Sequence, residues 1–170
     1  MRPAPLRVTS HFPGTMTQRL HHEHIVRIND PANPGAVWLT REQLWQGLRH
    51  TVIAPQVHDD SIDSASVSEV NPGKLRRQIR RGCNSMSDEV ELVPNESLQI
   101  RADAGGVFAG STLTIRIEEP APEMLFVRFT YEVCGLADVR DAEEDDARCS
   151  AYQTSDIDRI RAARRYAARA

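Results

Sequence analysis

Between Ile62 and Val133 the chain is a succession of short alternating runs. They read IDSASVSEV, LRRQIRR, SMSDEVELV, SLQIRADA, STLTIRIEE and MLFVRFTYEV, separated only by NPGK, GCN, PNE, GGVFAG and PAPE. Apolar residues recur at every second position in most of them, the period of a half-buried β-strand. Connectors this short join antiparallel neighbours, because a parallel crossover needs a dozen or more residues. Six consecutive strands in an antiparallel sheet are therefore predicted.

The flanks add one strand and the helices. RLHHEHIVRIN (19–29) alternates around His22, His24, Val26 and Ile28, and DPANPG stops it. Thr40 and Gln43 form a T-x-x-Q capping box, which marks a helix start. Leu44, Trp45, Leu48 and Val52 make that helix's buried stripe, Pro55 ends it, and PQVHDD is read as a second short helix or turn. From about Asp138 to Arg169 the chain is charged and Ala-rich, with Val139, Ala142, Cys149, Ile157 and Ile160 at helical spacing. A long C-terminal helix is predicted there, with Ser155 able to cap a fresh start and kink it near 154. The sum is an α+β fold: about seven curved antiparallel strands, two short helices after the first, and a long helix across one face. Such a helix can leave a hollow beneath it.

Bulk properties narrow the function classes. The 170 residues and net charge of −3 fit one domain, taken as 17–170, that does not bind nucleic acid. The basic end RIRAARRYAAR is read as a solvated helix face, since no aromatic stacking platform accompanies it. The Pro-rich stretch 1–16 is expected to be a disordered leader that the fold can lose. Three widely spaced cysteines, Cys83, Cys134 and Cys149, and no CxxC argue against a disulfide framework or structural zinc. His22 and His24 share a strand face but lack a third ligand nearby, so neither metal nor cofactor is expected. With no apolar run near the ~18 residues of a membrane span and no signal sequence, the protein is expected to be cytoplasmic.

Alternation also selects candidate site residues. Leu113, Ile115, Ile100, Val90, Phe129 and Tyr131 point to the helix side, with Cys149 and Tyr152 facing them from the long helix. The same rule places Asp88, Met86, Arg77, Arg81, His24 and His22 inward. Charges so placed must pair or meet water. Asp88 is expected to pair across strands with Arg81 or Arg77. The catalytic candidates are Asp88 or His24 as the group that moves a proton, with Arg81 or Tyr131 steadying an enolate or oxyanion. Arg77, Met86, Val90, Ile100, Leu113, Ile115, Phe129, Cys149 and Tyr152 are the candidate binding residues.

Four stretches resemble a known family: H-x-x-x-x-N-D-P at 24–31, LTREQLWQGL at 39–48, IEEPAPEMLFVRFTYE at 117–132 and SDIDRIR at 155–161. They are similar to the SRPBCC superfamily of START, birch-pollen-allergen and aromatic polyketide cyclase proteins, and within it to the AtaL-like subgroup. The resemblance covers about 24 to 165. It implies a helix-grip fold with a cavity for a hydrophobic or amphipathic small molecule under the long helix, in a monomer or homodimer. Superfamily members carry lipids, bind hormones or cyclise polyketides, and no catalytic motif carries over residue by residue. The expectation is an enzyme of secondary metabolism, of cyclase, dehydratase or isomerase type, acting on a polyketide- or peptide-like intermediate. A carrier or sensor of a hydrophobic metabolite is the alternative, and a protein-interaction module with a vestigial pocket a third possibility.

Overall fold

A computed structural model describes residues 20–105, 110–133 and 142–169. The leader, Cys134 and the start of the tail at 138–141 lie outside the described residues. The elements run β1 (Leu20–Arg27), α1 (Arg41–Ile53), a single 3₁₀ turn (Pro55–Val57), β2 (Ser64–Asn71), β3 (Lys74–Arg81), β4 (Asn84–Val93), β5 (Ser97–Ala102), β6 (Ser111–Glu118), β7 (Phe126–Val133) and α2 (Ala142–Ala167). The seven strands form one antiparallel sheet in the order β1-β7-β6-β5-β4-β3-β2. β2 to β7 are a meander; β1 closes the far edge on β7. The second helix after β1 is thus one 3₁₀ turn, with Pro55 at its start.

Local chemistry explains the joints. Thr40 Oγ1 accepts from the Gln43 amide and Gln43 Oε1 accepts from the Thr40 amide, closing the predicted capping box. Asn29, in the N-D-P motif, is 2% exposed. Its amide donates to the Leu39 and Glu123 carbonyls at 2.9 Å, and its carbonyl accepts the Leu39 N–H at 3.0 Å. One side chain therefore ties the end of β1, the start of α1 and the turn before β7. In the β2–β3 hairpin Gly73 takes φ +74°, a left-handed conformation that NPGK supplies at little cost.

Rows of paired residues divide the sheet's inner face. One row joins Leu92, Leu98, Ile115, Phe129 and His24; the next joins Val90, Ile100, Leu113, Tyr131 and His22; the third joins Asp88, Ala102 and Ser111. Leu44, Trp45, Leu48 and Val52 of α1 pack with the first row and with Ile117 and Val127 beyond it. α2 passes over the other end.

α2 is one unbroken helix through 154, so the possible kink is not realised. Its stripe also differs from expectation: Ile157 is 39% exposed, while Asp156, Ile160, Ala162 and Ala163 are buried. The inward face runs Tyr152, Asp156, Ile160, Ala163, at spacings of four, four and three. Gly47 of α1 is what lets the helices meet. A Cβ there would lie 2.5 Å from the Ala163 carbonyl oxygen and 2.8 Å from its Cα. Backbone cannot yield as a side-chain tip does. Gly47→Ala is therefore expected to destabilise by about 1–3 kcal/mol, the range for overpacking, despite alanine's better helix propensity. A urea titration reads the difference, and a stability equal to or above the parent's would refute this close contact.

Candidate active site

At the end of the sheet that α1 leaves free, a pocket of ≈ 680 Å³ lies between strands, 3₁₀ turn and α2. Of the expected binding residues, Arg77, Met86, Ile100, Leu113 and Tyr152 line it, as do the catalytic candidates Asp88, Arg81 and Tyr131. Val90, Ile115 and Phe129 do not: each is completely buried in the core cluster with α1 residues. Cys149 is half-buried and away from the lining. Strand alternation gives the face but not the position along the strand at which α1 stops filling it.

The cross-strand acid–base pair is Asp88 with Arg77, the residue opposite it in the register, and not Arg81. Arg77 Nε reaches Asp88 Oδ1 at 2.7 Å and its terminal nitrogen reaches Oδ2 at 2.6 Å; the other terminal nitrogen donates to the Val52 carbonyl at 3.1 Å. Both side chains are nearly sealed, at 5% and 1% exposure. This is the bidentate geometry of a strong pair, and it occupies both carboxylate oxygens. Arg81, opposite Asn84 at the end of the strand, turns outward: it is exposed and binds Asp59 at 2.7 Å and Ser61 at 3.1 Å. The hydrogen bonds of Asp59 with Ser61, then that with Arg81, hold its carboxyl below the usual range against the opposing effect of burial.

A second polar chain crosses three elements. The Tyr131 hydroxyl donates to Asp156 Oδ1 at 2.5 Å, and His24 Nδ1 sits 3.1 Å from Asp156 Oδ2. Asp156 is fully buried, Tyr131 borders the pocket, and His24, 20% exposed, is not part of the pocket lining. Burial pushes the Asp156 carboxyl up, although hydrogen bonds from Tyr131 and His24 partly oppose it. Burial, then the hydrogen bond and charge of Asp156, push the Tyr131 phenol far above its ordinary value, so it stays protonated. Its ring lies flat against Tyr152, centroids 4.0 Å apart and 3° from parallel, with His22 6.2 Å from each. Asp156 is the functional candidate that strand reasoning missed. Its signal was the helical stripe Tyr152–Asp156–Ile160, hidden because Ser155–Asp156 also reads as a helix cap.

Two features sit at the pocket's rim and ceiling. His50 Nδ1 and His58 Nε2 are 2.7 Å apart, and His50 stacks on Tyr166 at 4.2 Å. Burial, then His50 and nearby arginines, lower the His58 pKa, keeping that ring neutral. Arg159 lines the pocket from α2. Among the described residues no three His, Cys, Asp or Glu side chains gather where a metal ion would sit. No helix among them is long and apolar enough to cross a membrane.

The sequence model of AtaL, acetylaranotin biosynthesis cluster protein L, matches residues 26–170. The chain belongs to the AtaL family. No curated protein matches it in sequence. Solved structures share its fold at low identity. The di-domain aromatase/cyclase StfQ of the steffimycin pathway aligns with a TM-score of 0.70 at 8% identity, covering 89% of this chain and 52% of that one. The aromatase/cyclase ZhuI from Streptomyces sp. R1128 aligns at 0.61 with 13% identity, covering 89% and 95%. Ara h 8.0201 aligns at 0.63 with 8% identity, covering 90% and 100%. This AtaL-family chain spans about half the length of the di-domain cyclases. Its seven-stranded curved sheet and long C-terminal helix are the helix-grip architecture of the SRPBCC superfamily.

Proposed function

We propose that this AtaL-family protein binds an amphipathic polyketide- or peptide-like intermediate of secondary metabolism in the pocket under α2 and carries out a cyclase-, dehydratase- or isomerase-type step on it. The observation that carries this reading is the Tyr131 hydroxyl at the pocket wall, backed by buried Asp156 and then by partly exposed His24. The aromatase/cyclase titles of the structural neighbours support it at the level of fold.

The chemistry follows from the proton path. In an aldol-type ring closure an enol carbon bonds to a carbonyl carbon, and the carbonyl oxygen takes the electron pair of its broken π bond. With Asp156 protonated, its hydrogen bond to Tyr131 reverses and the phenol O–H is free to turn to that oxygen. Tyr131 gives its proton to the oxygen and takes the Asp156 proton; Asp156 is refilled from solvent by way of the His24 ring. The enol O–H proton leaves to solvent. Loss of the new hydroxyl as water draws a second proton along the same path, while the carbon next to the remaining carbonyl gives its proton to solvent and its C–H electron pair becomes the new C=C bond. In this scheme Asp88 and Arg77 hold the pocket wall, and Arg81 fixes its rim through Asp59.

The pairing of Asp88 with Arg77 weighs against Asp88 as the base and supports a second reading, a non-catalytic carrier or sensor of the same class of ligand. Nile red, a neutral apolar dye, is expected to bind and brighten, and Ala102→Trp, which fills the third row of the wall, to abolish that signal. A triketide N-acetylcysteamine thioester is then expected to lose one water in the presence of protein, read by mass spectrometry. No dye binding would sink both readings; dye binding with an unchanged thioester would leave the carrier.

A further inference from the structure

We infer that the pocket selects ligands bearing a single carboxylate, held by Arg159; this rests on the pocket being a ligand site, as proposed above. Arg159 projects from α2 at the stretch that also carries Asp156 and Tyr152, and it lines the pocket. A guanidinium offers five N–H donors. Among the described residues this one makes a single hydrogen bond, to the Thr51 hydroxyl at 3.4 Å, close to the limit of such a bond. Its Nε is enclosed and meets no acceptor.

The neighbouring carboxylates are already taken. Asp156 accepts from Tyr131 and His24, and both oxygens of Asp88 are held by Arg77. Each acts on Arg159 only as a nearby charge, and burial lowers the Arg159 pKa in spite of them. A partly buried cation with no ion-pair partner among the described residues is unfavourable, and a planar carboxylate matches its fork with two parallel hydrogen bonds. The other pocket charges do not compete. Asp59 is bound to Arg81 and Asp158 to Arg161, and Arg165 and Asp60, both exposed at the rim, cancel in formal charge. One enclosed cation without an ion-pair partner among the described residues, facing a rim of balanced formal charge, suits a monoanion over a doubly charged phosphate. Tyr131 stays free in this arrangement to serve an uncharged carbonyl elsewhere on the ligand.

The test is isothermal titration of the full chain with decanoate, decanol and decyltrimethylammonium, three ligands with one tail length and different heads, beside the Nile red assay. Decanoate is expected to bind about ten- to a hundred-fold more tightly than decanol, the scale of one charge-assisted hydrogen-bonded contact, and the cation more weakly still. Arg159→Gln is expected to bring decanoate to within about threefold of decanol while Nile red affinity holds. Equal binding of decanoate and decanol to the parent protein, with Nile red bound, overturns the inference and leaves the pocket reading standing. Absence of binding by all four probes overturns both. If Arg159→Gln does not fold, the comparison of heads on the parent protein still decides.

Discussion

Asp88→Ala is expected to lower the stability of this protein by about 3–5 kcal/mol, the usual range for breaking a buried ion pair from one side. The reason is what remains. Arg77 would keep its charge at 5% exposure with only the Val52 carbonyl beside its terminal nitrogen. Both side chains border the pocket but are nearly sealed, Asp88 at 1% exposure, so water makes good only part of the lost pairing. Asp88→Asn should fare little better, since one amide oxygen cannot answer two N–H donors of a cation. For a chain of this size the melting temperature should fall by on the order of 10 °C. The double replacement Arg77→Met with Asp88→Leu should recover most of the loss, because two apolar side chains of similar volume need no partner. Some deficit should persist, as the Val52 carbonyl loses its donor. Chemical unfolding of the single and double variants measures the coupling. A loss below about 1 kcal/mol for Asp88→Ala would show that the pair is solvated and that Asp88 is free for another role.

Tyr131→Phe is expected to cut turnover of the triketide thioester by about 10²–10⁴-fold, the scale of a lost general acid, while Nile red affinity stays within about twofold. Phenylalanine keeps the flat contact with Tyr152 and removes only the hydroxyl. Asp156→Asn should give a loss of similar size, and the pair should be far from additive, since both act on one proton. The pH dependence has a definite sign. Burial raises the Asp156 pKa, so the carboxyl holds its proton below that raised value and gives it up above it. Delivery through Tyr131 should therefore be greatest on the acid side and decline as pH climbs through that value, a limb that Asp156→Asn erases. Stability follows the same sign. A carboxyl with a raised folded pKa favours the fold below the ordinary carboxylate pKa, and this contribution fades as pH rises through the folded value. A turnover that rises across that interval would exclude a protonated Asp156 as the donor behind Tyr131.

The strand pattern carried far because a period of two is hard to disguise. Connectors of two to eight residues, too short for a parallel crossover, forced antiparallel pairing, and Val90, Ile100, Leu113 and Tyr131 lie in one row as alternation requires. Tyr131 and Tyr152 were legible at the pocket wall, and Arg77 was legible beneath it. Register was less legible. Arg77 and Arg81 have the same parity on β3, so alternation alone could not say which one faces Asp88; the tight turn at Gly82 pairs Arg81 with Asn84 and leaves Arg77 opposite the acid. α2 was the least legible element. Its buried stripe contains an aspartate and borders an arginine, and a search for apolar residues at helical spacing passes over such a face. Asp156 becomes visible only when β1, β7 and α2 are brought together, since its partners lie on the first and last strands.

That arrangement bears on how a growing chain acquires its function. The hairpins from β2 through β6 join sequence neighbours and can zip as soon as each leaves the ribosome, whereas β1 finds its hydrogen-bond partner about a hundred residues later, in β7. His24 travels with the first strand, Tyr131 with the last and Asp156 with the terminal helix. Docking of β1 thus waits for β7 and α2, and the three groups meet only once all three elements have formed. A nascent chain stopped short of β7 has the sheet's middle strands but neither the phenol nor a seat for β1, so the proposed acid chemistry cannot begin before β7 and α2 have both emerged.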